Sequence, residues 1–233
     1  MYKGKKILGM IPARGGSKGL PGKNIKPING KPLIEWTIDR AKESKFIDYF
    51  FVSTDSKKIS IVSEGCGADV IDRPDELAED DTTTFDVIKH CINTNNFKDY
   101  DVILLLEPTS PLRSSDDIDN AIKSFIDNYD EVNSLVSLGE IHMENPNISK
   151  IVKNGVVVDF VKQNKKITQR QQLDKIYFPY GVVYMSKIKS YLKYETFYQD
   201  KTLPYFIKRW QNYEIDDIYD FLCIETIMKN ECF

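Results

Sequence analysis

Short β-rich runs alternate with helix-period segments along the first half of the chain, and no other feature restricts the fold as much. Residues 6–12 open with the apolar run Ile7, Leu8, Met10 and Ile11. Leu33, Ile34, Ile38 and Ala41 then recur at helical spacing to about residue 44, with Pro32 at the entry, where its missing N–H would be unpaired anyway. The cycle repeats with a strand at Tyr49–Val52 and a helix over 56–65. A strand at Asp69–Ile71 precedes a helix from about Thr83 that buries Val87, Ile88, Cys91 and Ile92. Val102–Leu106 is the most apolar strand, and Ser115 with Asp116 and Asp117 starts a helix carrying Ile118, Ala121, Ile122 and Phe125. Strands joined by such helices make an α/β fold, a Rossmann-like, mostly parallel sheet with helices on both faces.

The pattern changes after about residue 139. Asn154-Gly155 between the β-branched runs of Ile151–Val158 is a strong hairpin signal. A Gln- and Lys-rich stretch (162–175) follows, then a strand over Gly181–Met185 and a closing helix over 217–230. This predicts a core of residues 1–139 and 196–233, with a hairpin-rich subdomain inserted at 140–195.

The loop after the first strand carries the chemistry. Residues 11–24 hold four glycines with Arg14, Lys18 and Lys23, so backbone N–H groups can approach an anion while fixed cations neutralise it. The first 34 positions contain eight cations and no acid, in a protein of net charge −3, which points to a small polyanion and not to a nucleic-acid duplex. The loop is not a Walker A motif, because Asn24 follows Lys23 and Ser17 stands where the first glycine should be; Gly-x-Gly-x-x-Gly is also absent.

Four scattered cysteines (Cys66, Cys91, Cys223, Cys232) show no metal or disulfide spacing, and His90 and His142 are too isolated for a triad or a zinc site. No apolar run reaches membrane-spanning length and no secretory h-region is present, so a cytoplasmic location without membrane partners is expected.

Ile11-Pro-Ala followed by Arg14-Gly-Gly-Ser-Lys-Gly-Leu-Pro-Gly-Lys-Asn24 resembles the signature loop of the acylneuraminate (CMP-sugar) cytidylyltransferases. Val52-Ser-Thr-Asp55, Arg73-Pro-Asp-Glu-Leu77, Pro108-Thr-Ser-Pro-Leu-Arg113, Arg170-Gln-Gln172 and Glu214-Ile-Asp216 match further motifs of that family, in its order. The resemblance implies a nucleotide-diphospho-sugar transferase type of fold and a reaction that joins a nonulosonic 2-keto acid to CMP from CTP, with release of pyrophosphate. It implies that Arg14, Lys18 and Lys23 act on the triphosphate, and that Ala13, Gly15, Asn24, Arg73, Thr82 and Thr84 surround the nucleotide. Arg170, Gln171 and Tyr184 would face the sugar, Arg170 reading its carboxylate. It also implies that the insertion reaches a second subunit to make a homodimer.

Three positions depart from the family pattern: Glu107 where many relatives have Gln, Glu214 where Asp is commoner, and Tyr180 in Pro179-Tyr180-Gly181 where Asn is usual. Glu107 ends the longest strand, so it faces the ligand edge of the sheet and can accept a hydrogen bond from a sugar hydroxyl or hold a metal. Glu214 and Asp216 alternate around Ile215, which puts both carboxylates on one face of an extended segment, a two-carboxylate site for Mg²⁺ or Mn²⁺. The competing reading of Asp216 or Asp217 is a helix cap. The competing reading of the whole is a nucleotidyltransferase for another acidic sugar or another nucleotide such as GTP.

Overall fold

The computed structural model describes residues 1–95, 97–141, 145–162 and 174–230. Its elements, in chain order, are β1 (Ile7–Pro12), β2 (Pro27–Ile28), β3 (Lys31–Pro32), α1 (Leu33–Glu43), β4 (Tyr49–Thr54), α2 (Lys57–Gly65), β5 (Asp69–Asp72), α3 (Thr84–Thr94), β6 (Val102–Leu105), α4 (Ser115–Asp127) and β7 (Ser134–Glu140). They continue through β8 (Lys150–Lys153), β9 (Val156–Asp159), β10 (Tyr177–Lys187), α5 (Ile188–Tyr194), β11 (Thr202–Phe206) and α6 (Ile218–Lys229).

Seven strands form one sheet in the order β11-β7-β10-β6-β1-β4-β5. β1 pairs in parallel with β4 and β6, and β4 with β5, while β10 runs antiparallel to both β6 and β7. The period-2 alternation of strand side chains divides the core in two. Ile7, Ile11, Val52, Val102 and Leu104 point to the face covered by α1, α2 and α4, where Ile34, Ile38, Ile59, Ile122 and Phe125 pack. Leu8, Met10, Phe51, Ile103 and Leu105 point to the other face, against Phe85, Ile88, Ile92 and Tyr191 of α3 and α5. A third cluster joins Leu20 and Ile28 to Ile215, Phe221 and Ile224, which fastens the segment after β1 to the start of α6.

The expected inserted subdomain at 140–195 is too wide. β10 lies in the middle of the main sheet and α5 packs on one of its faces, so residues 177–195 belong to the core. Their buried pattern (Val182, Val183 and Met185 all inaccessible) requires a covered strand. The Asn154-Gly155 hairpin forms as expected, both residues having positive φ, and stands apart from the main sheet as β8–β9.

Candidate active site

Because β1, β4 and β6 are parallel, their carboxyl ends lie along one edge, and the loop after β1 crosses it. Ala13 is buried and donates its N–H to Ser53 O (2.9 Å), while Gly15 N donates to Asp55 Oδ1 (2.9 Å). These two amides are therefore spent on shaping the loop. Asn24, also buried, closes it by donating from Nδ2 to Arg14 O (3.1 Å). The amides of Gly16, Ser17, Lys18 and Gly19 donate to no acceptor among the described residues. Gly19 has to be glycine, since a Cβ there would collide with the carbonyl oxygen of Asp216. A run of free N–H groups flanked by cations is an anion cradle.

Arg14, Lys18 and Lys23 line one cavity of about 370 Å³ with Asn24, Glu107 and Asp216. The cations are not idle in this state. Arg14 donates to Asp80 Oδ1 (3.0 Å) and to Glu79 O (3.2 Å), and Lys18 pairs with the other oxygen of Asp80. Hydrogen bonds from Lys18 and Arg14 hold the Asp80 carboxyl below its ordinary range. Lys23 is deeper; its Nζ donates to Ile215 O (2.7 Å) and Asp216 Oδ1 (3.1 Å).

Two further cavities adjoin the first. One, of about 200 Å³, shares Pro12 and Arg14 with it and is walled by Arg73, Thr82 and Thr84. Arg73 is buried against Ser53, donating to its carbonyl (2.8 Å) and hydroxyl (3.3 Å), and burial lowers its guanidinium pKa. Thr83 caps α3 by accepting from Asp86 N, which leaves the flanking Thr82 and Thr84 at the cavity wall. The other cavity, about 250 Å³, shares Glu107 with the first and Thr84 with the second, and is lined by Tyr184, Phe197 and Tyr198. Burial, and after it the neighbouring Glu107, pushes the Tyr184 hydroxyl pKa up.

The acidic centre is built around Gly181. β10 shifts register between Pro179 and Tyr184, and this irregularity admits two carboxylates. A Cβ on Gly181 would stand 2.6 Å from Glu107 Oε2 and 2.8 Å from Glu214 Oε1. Glu214 accepts from Gly181 N and from Ser110 Oγ (3.0 Å). Burial, then the charge of Glu214, pushes the Glu107 carboxyl up to about 7, and burial raises Glu214 as well. Arg113 lies beneath them, fully buried, and its donors go to Thr37 Oγ1 (3.0 Å) and to the carbonyls of Glu107 (2.9 Å), Gly181 (2.6 Å) and Val182. Burial brings its guanidinium down to about 10.

Ile215 is fully buried, as the alternation requires, and its N–H donates to Thr109 O (2.9 Å). The flanking carboxylates divide: Asp216 stands in the 370 Å³ cavity against Lys23, whereas Glu214 turns to Gly181 beside Glu107. The helix cap is Asp217, which accepts from Tyr219 N (2.8 Å) and Asp220 N (3.1 Å) and leaves Asp216 free for the cavity. Arg170 and Gln171 lie outside the described residues. Sequence reasoning missed Asp80, Ser110, Phe197 and Tyr198. Only Ser110, inside a motif already noted, carried a signal that could have found it.

A family model described as Cytidylyltransferase matches residues 8–230. The chain belongs to the cytidylyltransferase family. Among relatives, the CMP-N,N'-diacetyllegionaminic acid synthase of Legionella pneumophila is 34% identical over 232 residues, covering 96% of this chain and 97% of the relative. The N-acylneuraminate cytidylyltransferase of Streptococcus agalactiae serotype V is 34% identical over 215 residues, covering 91% of this chain and 51% of the relative. The chain thus spans about half the length of the N-acylneuraminate cytidylyltransferases of this kind that it matches. A solved CMP:2-keto-3-deoxy-manno-octonic acid synthetase complexed with CTP superposes with a TM-score of 0.73 at 16% identity, over 97% of this chain and all of that one, so the chain shares its fold.

Proposed function

We propose that this chain transfers the cytidylyl group of CTP to a nonulosonic 2-keto acid, giving the CMP-sugar and pyrophosphate. The observation that carries the proposal is the continuity of the three cavities. A cationic one, one beside Arg73 and an aromatic one meet pairwise at Arg14, Glu107 and Thr84. A triphosphate, a base and a sugar fit that division. The free amides of residues 16–19 with Arg14, Lys18 and Lys23 take the phosphates, so Asp80 must release Arg14 and Lys18 as CTP enters. Arg73, Thr82 and Thr84 take the nucleoside. Glu107 lies where the phosphate and aromatic cavities join, and there accepts a hydrogen bond from the attacking sugar hydroxyl. Attack at the α-phosphorus expels pyrophosphate into the cradle, where fixed donors stabilise the charge that develops. In sequence, Arg170 and Gln171 supply the remaining sugar contacts, Arg170 binding the carboxylate through its fork of donors.

Mg²⁺ or Mn²⁺ fits the acidic centre. Glu107 and Glu214 are crowded carboxylates with raised pKa values, and the nearby guanidinium of Arg113 already serves four other acceptors. Asp216 and Glu214 would hold the ion with phosphate oxygens and water completing its shell; no group of three or more His, Cys, Asp or Glu among the described residues forms a full cage. The bound cation supplies charge neutralisation between the two anionic substrates.

The exposed β8–β9 hairpin supports a homodimer. Val152, Val156 and Val157 are 71%, 61% and 65% accessible, as is much of the nearby Phe160, and a second copy is the cover that the resemblance implies.

Pyrophosphate release, measured with each nucleoside triphosphate against N-acylneuraminic, legionaminic and pseudaminic acids in Mg²⁺, tests the reading. CTP with one of these acids should give stoichiometric release. Release with GTP but not CTP, or with no acid present, would overturn it. Arg170→Lys should raise the sugar KM and leave the CTP KM nearly unchanged.

A further inference from the structure

A second cationic cavity lies at the far end of the sheet. The stretch before β1, the start of β6 and the end of β10 border a space of about 570 Å³, larger than any of the three in the active site. β6 and β10 link the two regions while keeping them apart. Val102 pairs with Lys187 at the far end, and Leu105 pairs with Tyr184 close to Glu107.

Five lysines line this space (Lys5, Lys98, Lys187, Lys189 and Lys193) against Asp99 and Asp101, in a protein whose net charge is −3. Asp101 is largely engaged: its Oδ2 accepts from Lys6 N (2.9 Å), and its Oδ1 is 3.6 Å from Lys5 Nζ. Lys98, Lys187, Lys189 and Lys193 form no ion pair among the described residues. Two of the ammoniums converge on one ring, with Lys5 Nζ 4.3 Å and Lys187 Nζ 4.6 Å from the centroid of Tyr129. Burial, and then Lys5 and Lys201, hold Lys187 below the ordinary lysine range although Asp130 opposes this. Unpaired cations gathered in a concave, partly buried site raise one another's energy, and a polyanion relieves that repulsion. Ammonium groups on flexible stems are suited to phosphate oxygens, the rings of Tyr100, Tyr129 and Tyr194 add flat apolar walls, and the volume is that of a small-ligand site.

We propose that this cavity binds a small phosphorylated anion, of the size of a diphosphate or a nucleoside monophosphate, at a second site distinct from the active one.

Calorimetric titration of the metal-free chain at physiological ionic strength, with sodium pyrophosphate and separately with CMP, tests this. At least one of the two probes should give two binding events per chain. Lys189→Gln/Lys193→Gln, at two exposed positions, should weaken one event roughly tenfold or more while CTP turnover and melting temperature stay unchanged. Lys23→Ala should weaken only the other event. A second event with pyrophosphate alone identifies a free diphosphate as the ligand class, and one with CMP alone identifies a nucleotide. A single event per chain with both probes overturns the proposal, as does a second event that survives the double substitution at full strength.

Discussion

Lys23 and Asp80 show how single side chains set the state of the anion cradle. Lys23 is held between Ile215 O and Asp216, so its ammonium is already placed when ligand arrives. Removing one charge-assisted contact costs about 1.5–3 kcal/mol, so Lys23→Ala should lower kcat/KM for CTP roughly tenfold to a hundredfold in a steady-state assay. Asp80 acts in the opposite sense, because it occupies Arg14 and Lys18 as a tethered anion. Asp80→Asn should therefore lower the CTP KM, with the gain shrinking as salt is added. Glu107 carries a stability signature. Its folded pKa of about 7 lies above the ordinary carboxylate value, so the folded state binds the extra proton between those two limits. Stability attributable to Glu107 is then fully present below about pH 4 and is lost as pH rises through 7, on the order of 1–3 kcal/mol. Thermal melts of Glu107→Gln should match the native chain at low pH and exceed it at pH 8 without divalent cation; a native chain that gains stability over that range relative to the variant would contradict the assignment.

Among the elements, β10 and the turn after β6 decide whether the acidic centre exists. Gly181 leaves room for two carboxylates, and Arg113 ties the carbonyls of Glu107, Gly181 and Val182 together. Gly181→Ala should abolish turnover and lower the melting temperature, since the new methyl would enter the space of Glu107 and Glu214, backed by the neighbouring strand. Elements of this kind were unevenly legible in the sequence. β1, β4 and β6 announced themselves because parallel strands covered on both faces are almost continuously apolar. β7 and β11 were passed over. β7 spends Ser134 and Ser137 on bonds to its neighbours, the latter to Val183, and β11 is a partly exposed edge strand, so polar residues broke both patterns. The placement of 177–195 in an insertion failed for a related reason: an antiparallel strand returning to the sheet looks locally like the second arm of a hairpin.

At the scale of the whole molecule, motif residues far apart in the chain meet at one sheet edge, and that convergence was legible from the order of the motifs. Lys23 and Asp216, 193 residues apart, are separated by most of the linear sequence, and Glu107 and Glu214 by nearly half of it. What was not legible was the state of the charges, since the pairing of Asp80 with Arg14 and Lys18 depends on how the loop over residues 78–84 folds back. The exposed valines of β8–β9 bear on assembly. If the proposed dimer forms through this hairpin, Val152→Glu/Val157→Glu should convert it into monomers in sedimentation velocity with little change in melting temperature, and a dimer that persists in the variant would contradict that role. The central claim is that the three joined cavities hold CTP and an acidic sugar for one displacement at the α-phosphorus. Phosphorus NMR of the chain with CTP, Mg²⁺ and a nonulosonic acid follows that step directly. The account predicts that the triphosphate signals give way to equal amounts of pyrophosphate and a sugar phosphodiester, whereas CTP that persists, or that decays to CMP with no phosphodiester, would contradict it.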